Sequence, residues 1–409
     1  GVSGLYSAWH LAQEHEVVLY EQHGRIGGHT DTHCIEAEQG RVHVDTGFII
    51  FNPEHYPLFS AWLEQHGVAS RNTQMSFGVS CLNSGLEYNA TDLNSLFCQR
   101  RNLFNPRFLG MIRDIFRFYS RAPAELEHLS EQISLGQWLA QSGLGEAFAN
   151  DHLLPMTSAL WSTPPSQAQE FPIRYLLEFM RNHQMLQAFN RPTWCTIRGG
   201  SQRYVEAVLQ TFRGELRLNS AVQRLRRHDD HIAVQSVGGE DVFDQVILAC
   251  HADQALAMLE KPSPEEHDVL SAFDYACNDT VLHTDTSLMP KHKQAWASWN
   301  VRNYGQNADH PGAISYWMNS LQGLKGPIQY IVSLNQTEQI DPNTILKRRR
   351  YQHPLYTRAS RLAQLRLDEI NGVDRVWYCG AHWGWGFHED AVRSARRIIV
   401  QLAGVNHAA

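Results

Sequence analysis

Gly1-Val-Ser-Gly4, the apolar and small residues Leu5, Ala8, Leu11 and Ala12, and then Glu16-Val-Val-Leu-Tyr-Glu21 decide how this chain is read. The order is turn, helix, short β-branched strand, acid. That is the second half of a dinucleotide-binding βαβ unit. Each residue has a physical task there. Gly1 lets the backbone approach a pyrophosphate, the N–H groups of the first turn around Ser3 face the negative phosphates, and Gly4 lets the helix pack closely on a sheet. Glu21 accepts hydrogen bonds from ribose hydroxyls. A complete unit also has an apolar strand and another glycine ahead of Gly1. A parallel sheet without its central strand leaves backbone groups unpaired, so about ten further residues are expected before Gly1.

Working outward, the 409 residues exceed what one core holds, roughly 250–300 residues, and two domains are expected. A composition of 43% hydrophobic and 19% charged residues is that of a globular enzyme. The net charge of −7 argues against a nucleic-acid partner. No apolar run approaches the ~18 residues of a membrane span. The seven cysteines are scattered and never in a C-x-x-C pair, as in reduced thiols of a cytoplasmic protein, and no metal site is expected.

Beyond the acid come Gly24-Arg25-Ile-Gly27-Gly28-His29 and an alternating strand, Val42-His-Val-Asp45-Thr-Gly47-Phe48. In these residues the chain resembles the FAD-dependent family of amine oxidases, protoporphyrinogen oxidase and phytoene desaturases. The resemblance implies that Arg25, Gly27, Gly28 and His29 approach the ribose and phosphates of the cofactor. It implies that Gly47, with Phe48 beside it, lies beneath the flavin, where a side chain would strike the ring. Asp45 is expected to brace the loop. In the middle of the chain, Thr196-Ile-Arg-Gly-Gly200 opens a helix, and Val222 matches a residue whose backbone touches the adenine. Near the end, Arg375-Val-Trp-Tyr-Cys-Gly380-Ala381 runs into a helix with the apolar stripe Ala391, Val392, Ala395, Ile398 and Ile399. Gly380 matches the family, and Ala381 replaces its acid. Cys379 precedes the glycine turn, so non-covalent FAD is implied. Phe387 stands where amine oxidases place a cage tyrosine. His388 is read as an acid or base near flavin N5, or as a hydrogen-bond donor to the ring. Glu389 and Asp390 either face the cofactor or are acids favoured in a first helical turn.

The fold class implied is α/β, with a discontinuous Rossmann-like FAD domain (1–75, 191–260 and 351–409) and an inserted α+β substrate domain (76–190 and 261–350). With the words Met75-Ser-Phe, His283-Thr-Asp285, Tyr316-Trp-Met-Asn319 and His353-Pro, the chain resembles a bacterial branch of these flavoproteins described as predicted NAD/FAD-binding proteins. The activity implied is transfer of a hydride from an apolar or amine-type substrate onto flavin N5, with oxygen or a carrier as electron acceptor. A flavin-dependent isomerase without net redox change and a non-catalytic flavin-binding protein are the alternatives. Asn52, Tyr56 and His283 are further pocket candidates, and Lys291 or Lys293 a candidate water-holding lysine; each has an ordinary structural reading beside it. One helical stripe, Phe104, Phe108, Ile112, Ile115 and Tyr119, is flanked by six arginines between Arg100 and Arg121. It reads as a core stripe with a solvated basic side, or as a surface that meets an anionic membrane or a lipid substrate. Lys347-Arg-Arg-Arg350 reads as a solvated helix face.

Overall fold

The computed structural model describes residues 1–38, 40–161, 165–187, 192–305 and 313–406. Its first layer gathers three distant stretches of chain. The helix Val2–Leu11 packs against the C-terminal helix His388–Asn406 and the helix Gln202–Thr211. Their shared core holds Val2 and Leu5, Val205 and Val208, and Val392, Ala395 and Ile398. Gly4 does the work expected of it, since a Cβ there would sit 3.1 Å from the Ala249 Cβ. Strand Val18–Tyr20 pairs in parallel with Glu215–Arg217, and Val246–Leu248 with Val376–Tyr378. Parallel pairs joined through helices are the mark of an α/β layer.

The second layer is a seven-stranded sheet. Its order is Ile345–Pro354, Tyr275–His283, Ile331–Leu334, Ala313–Trp317, Trp299–Asn303, Phe77–Cys81, Glu87–Asn89. All neighbours are antiparallel except Trp299–Asn303 with Phe77–Cys81. A helical block completes this half: Pro106–Leu126, Leu135–Ser142, Leu154–Trp161 and Ile173–Asn182 surround Phe118, Phe148, Leu176 and Phe179. Local signals set these helices. Asn105 caps the first ahead of Pro106, and Ser134 with Gln137 forms a capping box closed by Gly143.

One reading of the sequence is corrected here. Lys347–Arg350 is not a helix face but part of strand Ile345–Pro354. Alternation along that strand sends Arg349 to Asp31 at 2.7 Å and Arg350 to Asp279 at 3.1 Å. The domain boundary expected at 351 also falls inside this strand, which pairs with Tyr275–His283 as far as Pro354. The boundary expected at 191 lies outside the described residues.

One side chain ties the layers together. Asp45 ends the strand Gly40–Asp45 and is fully buried. Its carboxylate accepts from Ser201 N at 2.9 and 3.0 Å, from Ser201 Oγ at 2.8 Å, from Gln322 Nε2 at 2.8 Å, and from the Thr32 hydroxyl. Gln322 answers by accepting from Asp45 N at 2.9 Å. Burial pushes the Asp45 carboxyl up to about 6, against the pull of the Thr32 and Ser201 donors. Asp45 therefore braces, as read from the sequence. Asp45→Asn turns an amide N–H toward donors and strands buried polar groups, at a cost of about 1–3 kcal/mol. Thermal or urea melts at neutral pH are expected to show that loss; an unchanged midpoint would remove Asp45 from this role.

Candidate cofactor and active site

The carboxyl ends of strands Val18–Tyr20, Val246–Leu248 and Val376–Tyr378 open onto one channel of about 1640 Å³. That exceeds the ~300–1,000 Å³ of a drug-sized pocket. The channel includes a slot between Val18–Tyr20 and Val246–Leu248, which belong to separate sheets, as well as a groove over the helix starts. Gly1, Ser3, Gly4, Glu21, Arg25, Gly27, Gly28, His29, Val222, Gly380 and His388 all line it. A Cβ on Gly28, whose φ is +60°, would lie 2.9 Å from Gly1 Cα, so loop and helix start meet with no room for a side chain. The helix Val2–Leu11 has no side-chain cap and no acid in its first turn, which leaves its leading N–H groups to an anion. Arg25 is held by Thr30 O (3.0 Å), Gly28 O (2.8 Å) and Asp31 (3.2 Å), and Asp31 also takes Arg349. His29 Nε2 is buried and has no hydrogen-bond partner among the described residues. A side-chain-free cradle, an uncapped helix start and an orphan imidazole nitrogen fit an extended dinucleotide.

Several expected contacts lie elsewhere. Gly47 and Phe48 do not line the channel. A Cβ on Gly47 would collide with the His29 carbonyl, so backbone approach alone requires glycine there. Phe48 N donates to that carbonyl at 2.8 Å, and its ring stacks on His388 at 3.5 Å. Gly200 packs on Thr32 beside the Asp45 brace. Glu389 caps the helix Pro57–Gln65, accepting from Leu58 N at 3.2 Å and Phe59 N at 3.0 Å. Asp390 accepts from Trp385 N and Phe387 N, both at 3.1 Å. Both carboxylates thus bond to backbone N–H groups. Asn52 makes a local turn, its Oδ1 accepting from Glu54 N at 2.9 Å, and Tyr56 is the N-cap residue of the helix Pro57–Gln65 inside the first core. His283 is a satisfied core histidine, bonded to Ser333 Oγ at 2.8 Å and accepting from Asp285 N at 3.2 Å. Lys291 and Lys293 are exposed.

His388 is held between two hydroxyls. Its Nε2 lies 3.2 Å from both Thr30 Oγ1 and Tyr204 Oη, and burial pushes the imidazole down to about 3. Phe387 stacks on Phe179 at 5.3 Å and 15°. The sequence reading missed three of the imidazoles lining the channel, His251, His353 and His382. His29 sits 5.4 Å from His353 and 6.2 Å from His251, ring to ring. Burial lowers all of them, His353 to about 4 and His382 to about 3. Only His353-Pro stood out in the sequence. Single histidines on separate elements follow no spacing rule.

An α/β layer with a channel at its strand ends, beside a mostly antiparallel sheet, is the architecture of a dinucleotide-binding protein. The family model for flavin containing amine oxidoreductases matches residues 2–348, and the chain belongs to that family; it is an FAD-dependent oxidoreductase. No curated protein matches the sequence. Similar solved structures include the CLA-producing fatty acid isomerase from P. acnes (13% identity, TM-score 0.72, covering 98% of this chain and 96% of that one). Others are putrescine oxidase bound to putrescine (13%, 0.71, 99% and 97%) and cyclohexylamine oxidase from Brevibacterium oxydans IH-35A (13%, 0.66, 99% and 97%). At such identity they establish the fold alone.

The imidazoles make stability pH-dependent. They stay neutral in the fold while the unfolded chain binds protons below about 6.5. Stability is complete above that pH and falls as pH drops toward 4, by about 1.4 kcal/mol per unit for each group. Asp45 and Asp390, both pushed up to about 6, oppose this below pH 6 but are fewer. Melting temperature is expected to fall from pH 7.5 to 5.5; a rise would mean the imidazoles are charged in the folded protein.

Proposed function

We propose that the substrate is an apolar chain, acyl or polyisoprenoid, and not a primary amine. The observation that carries this is the aromatic cluster of the helical core, against which Phe387 and Trp385 pack half-buried. Phe179 stacks on Phe387, Tyr175 stacks on Tyr356 at 5.3 Å, and Trp385 lies 6.3 Å from Tyr175. Glu389 and Asp390, beside Phe387 in sequence, accept from backbone N–H groups, and Glu178, next to Phe179, pairs with Arg174 at 3.1 Å, so each already has a partner other than an ammonium.

Gly1, Ser3 and the helix start behind them would hold the pyrophosphate, Glu21 the ribose, Val222 the adenine end, and His29, Gly380 and His388 the flavin end, without a covalent link. When bound, the flavin supplies a two-electron acceptor at N5 whose electrons pass on to oxygen or a carrier. The protein's own part is to orient the substrate on Phe387, exclude water, and keep neutral hydrogen-bonding groups at the ring. His388 holds position as an uncharged imidazole and moves no proton.

The test is anaerobic reduction of the purified flavoprotein with matched panels of acyl or isoprenoid compounds and of amines. Loss of the visible flavin absorbance is expected with the first panel, slowed about tenfold in Phe387→Ala, as suits lost orientation. Reduction by amines alone would overturn the reading. Substrate rearranged with no acceptor consumed would point to isomerisation. His388→Gln is expected to leave the pH profile of reduction unshifted.

A further inference from the structure

We propose that the outer face of the helix Pro106–Leu126, with the turn before it, docks on an anionic lipid bilayer. The sequence stripe of this helix divides in two. Phe108 is buried, Ile112, Ile115 and Tyr119 are half-buried against the core, and Phe104 is 87% exposed. The core-facing residues are Phe108, Met111, Phe118, Ala122 and Leu126. Opposite them, Leu109, Arg113, Phe116 and Ser120 recur at steps of three and four and are all exposed, Phe116 by 51%. Leu103 (45%) adds to the patch in the turn Arg100–Phe104 just ahead of the helix. Phe104 and Phe116 are the only phenylalanines among the exposed large apolar side chains of the described residues. Single exposed leucines need no explanation, but a cluster with two protruding phenylalanines marks an interaction site.

Charge selects the partner. Between Leu93 and Arg121 the chain carries six arginines and one acid, Asp114, within a protein of net charge −7. Asp114 is buried, and Arg113 and Arg117 reach it at 3.3 and 3.1 Å while staying 69% and 44% exposed. Arg107 pairs with Asp151 and Arg121 with Glu125 while staying 53% and 42% exposed, and Arg100 and Arg101 are exposed at the same end. Aromatic and aliphatic side chains ringed by arginine, on a helix too polar to cross a membrane, are the composition of a helix lying in the headgroup layer. A protein partner would call for a groove or a flat patch with its own hydrogen-bonding rim. This inference does not rest on the substrate reading.

Flotation of the purified flavoprotein with phosphatidylcholine vesicles, with and without phosphatidylglycerol, tests it. Capture is expected only with the anionic lipid and is expected to weaken with salt. The double variant Phe104→Ser, Phe116→Ser should lose about tenfold in capture, with flavin content and melting temperature unchanged because neither side chain is in the core. Arg101→Gln with Arg113→Gln should lose about fivefold per charge. Equal capture by neutral vesicles, or capture undiminished in both variants, overturns the proposal. So does a dimer in sedimentation velocity that the serine variant abolishes, which would make this face an interface between copies.

Discussion

A buried carboxylate surrounded by donors is costly to build and rigid once built. Asp45 is such a group, and the positions of four chain segments follow from it. An unpaired buried charge would cost several kcal/mol, so Thr32, Ser201 and Gln322 must all be in place for the fold to close. Thr32 leads back through Asp31 and Thr30 to the His29 carbonyl, against which Gly47 has no room for a side chain. Ser201 carries the glycine pair that opens the middle helix. Gln322 belongs to a short helix at the end of the second sheet. One acid thus sets the wall of the channel and joins the two layers.

The acids of the C-terminal helix follow the same logic. Glu389 and Asp390 sit where a negative group is favoured by the helix dipole, and their oxygens go to N–H groups that would otherwise be orphaned. Glu389 reaches the helix Pro57–Gln65, more than 300 residues earlier in the chain. The C-terminal helix is thereby fixed against the flavin-side loops by hydrogen bonds and by the Phe48–His388 stack together. What reaches the channel from this helix is then an uncharged imidazole. Arg25 and Arg349 share Asp31, so the exposed start of the helix Val2–Leu11 is left as a source of positive potential for a diphosphate.

These relations explain what could be read from the sequence. Gly1, Gly4, Glu21 and Gly28 were legible because a backbone approach and a helix period act over a few residues. Gly380 and the stripe of the last helix were legible for the same reason. Asp45 was readable as a brace, but not its donors. Glu389, Asp390 and His283 were not readable, because an acid or histidine shows its type and not its partner, and the partners lie on other elements. The arginine run at 347–350 was misassigned because solvated helices and edge strands share that composition. Only its alternating partners, Asp31 and Asp279, separate them.

The helix Pro106–Leu126 carries this point furthest. Twenty-one residues extend about 31 Å at 1.5 Å per residue. Its inner face is fully specified by packing: Phe108 and Met111 belong to one core, Phe118, Ala122 and Leu126 to another. Nothing in that packing requires Leu109 or Phe116 to be apolar, and exposure of such side chains costs solubility with no return to the fold. Asp114 takes Arg113 and Arg117, Asp151 takes Arg107 and Glu125 takes Arg121, but each of these arginines keeps a large part of its side chain exposed, and Arg100 and Arg101 pair with no acid among the described residues. A surface that keeps both features is under a constraint from outside the molecule, and an interface that is apolar below and anionic above meets both at once.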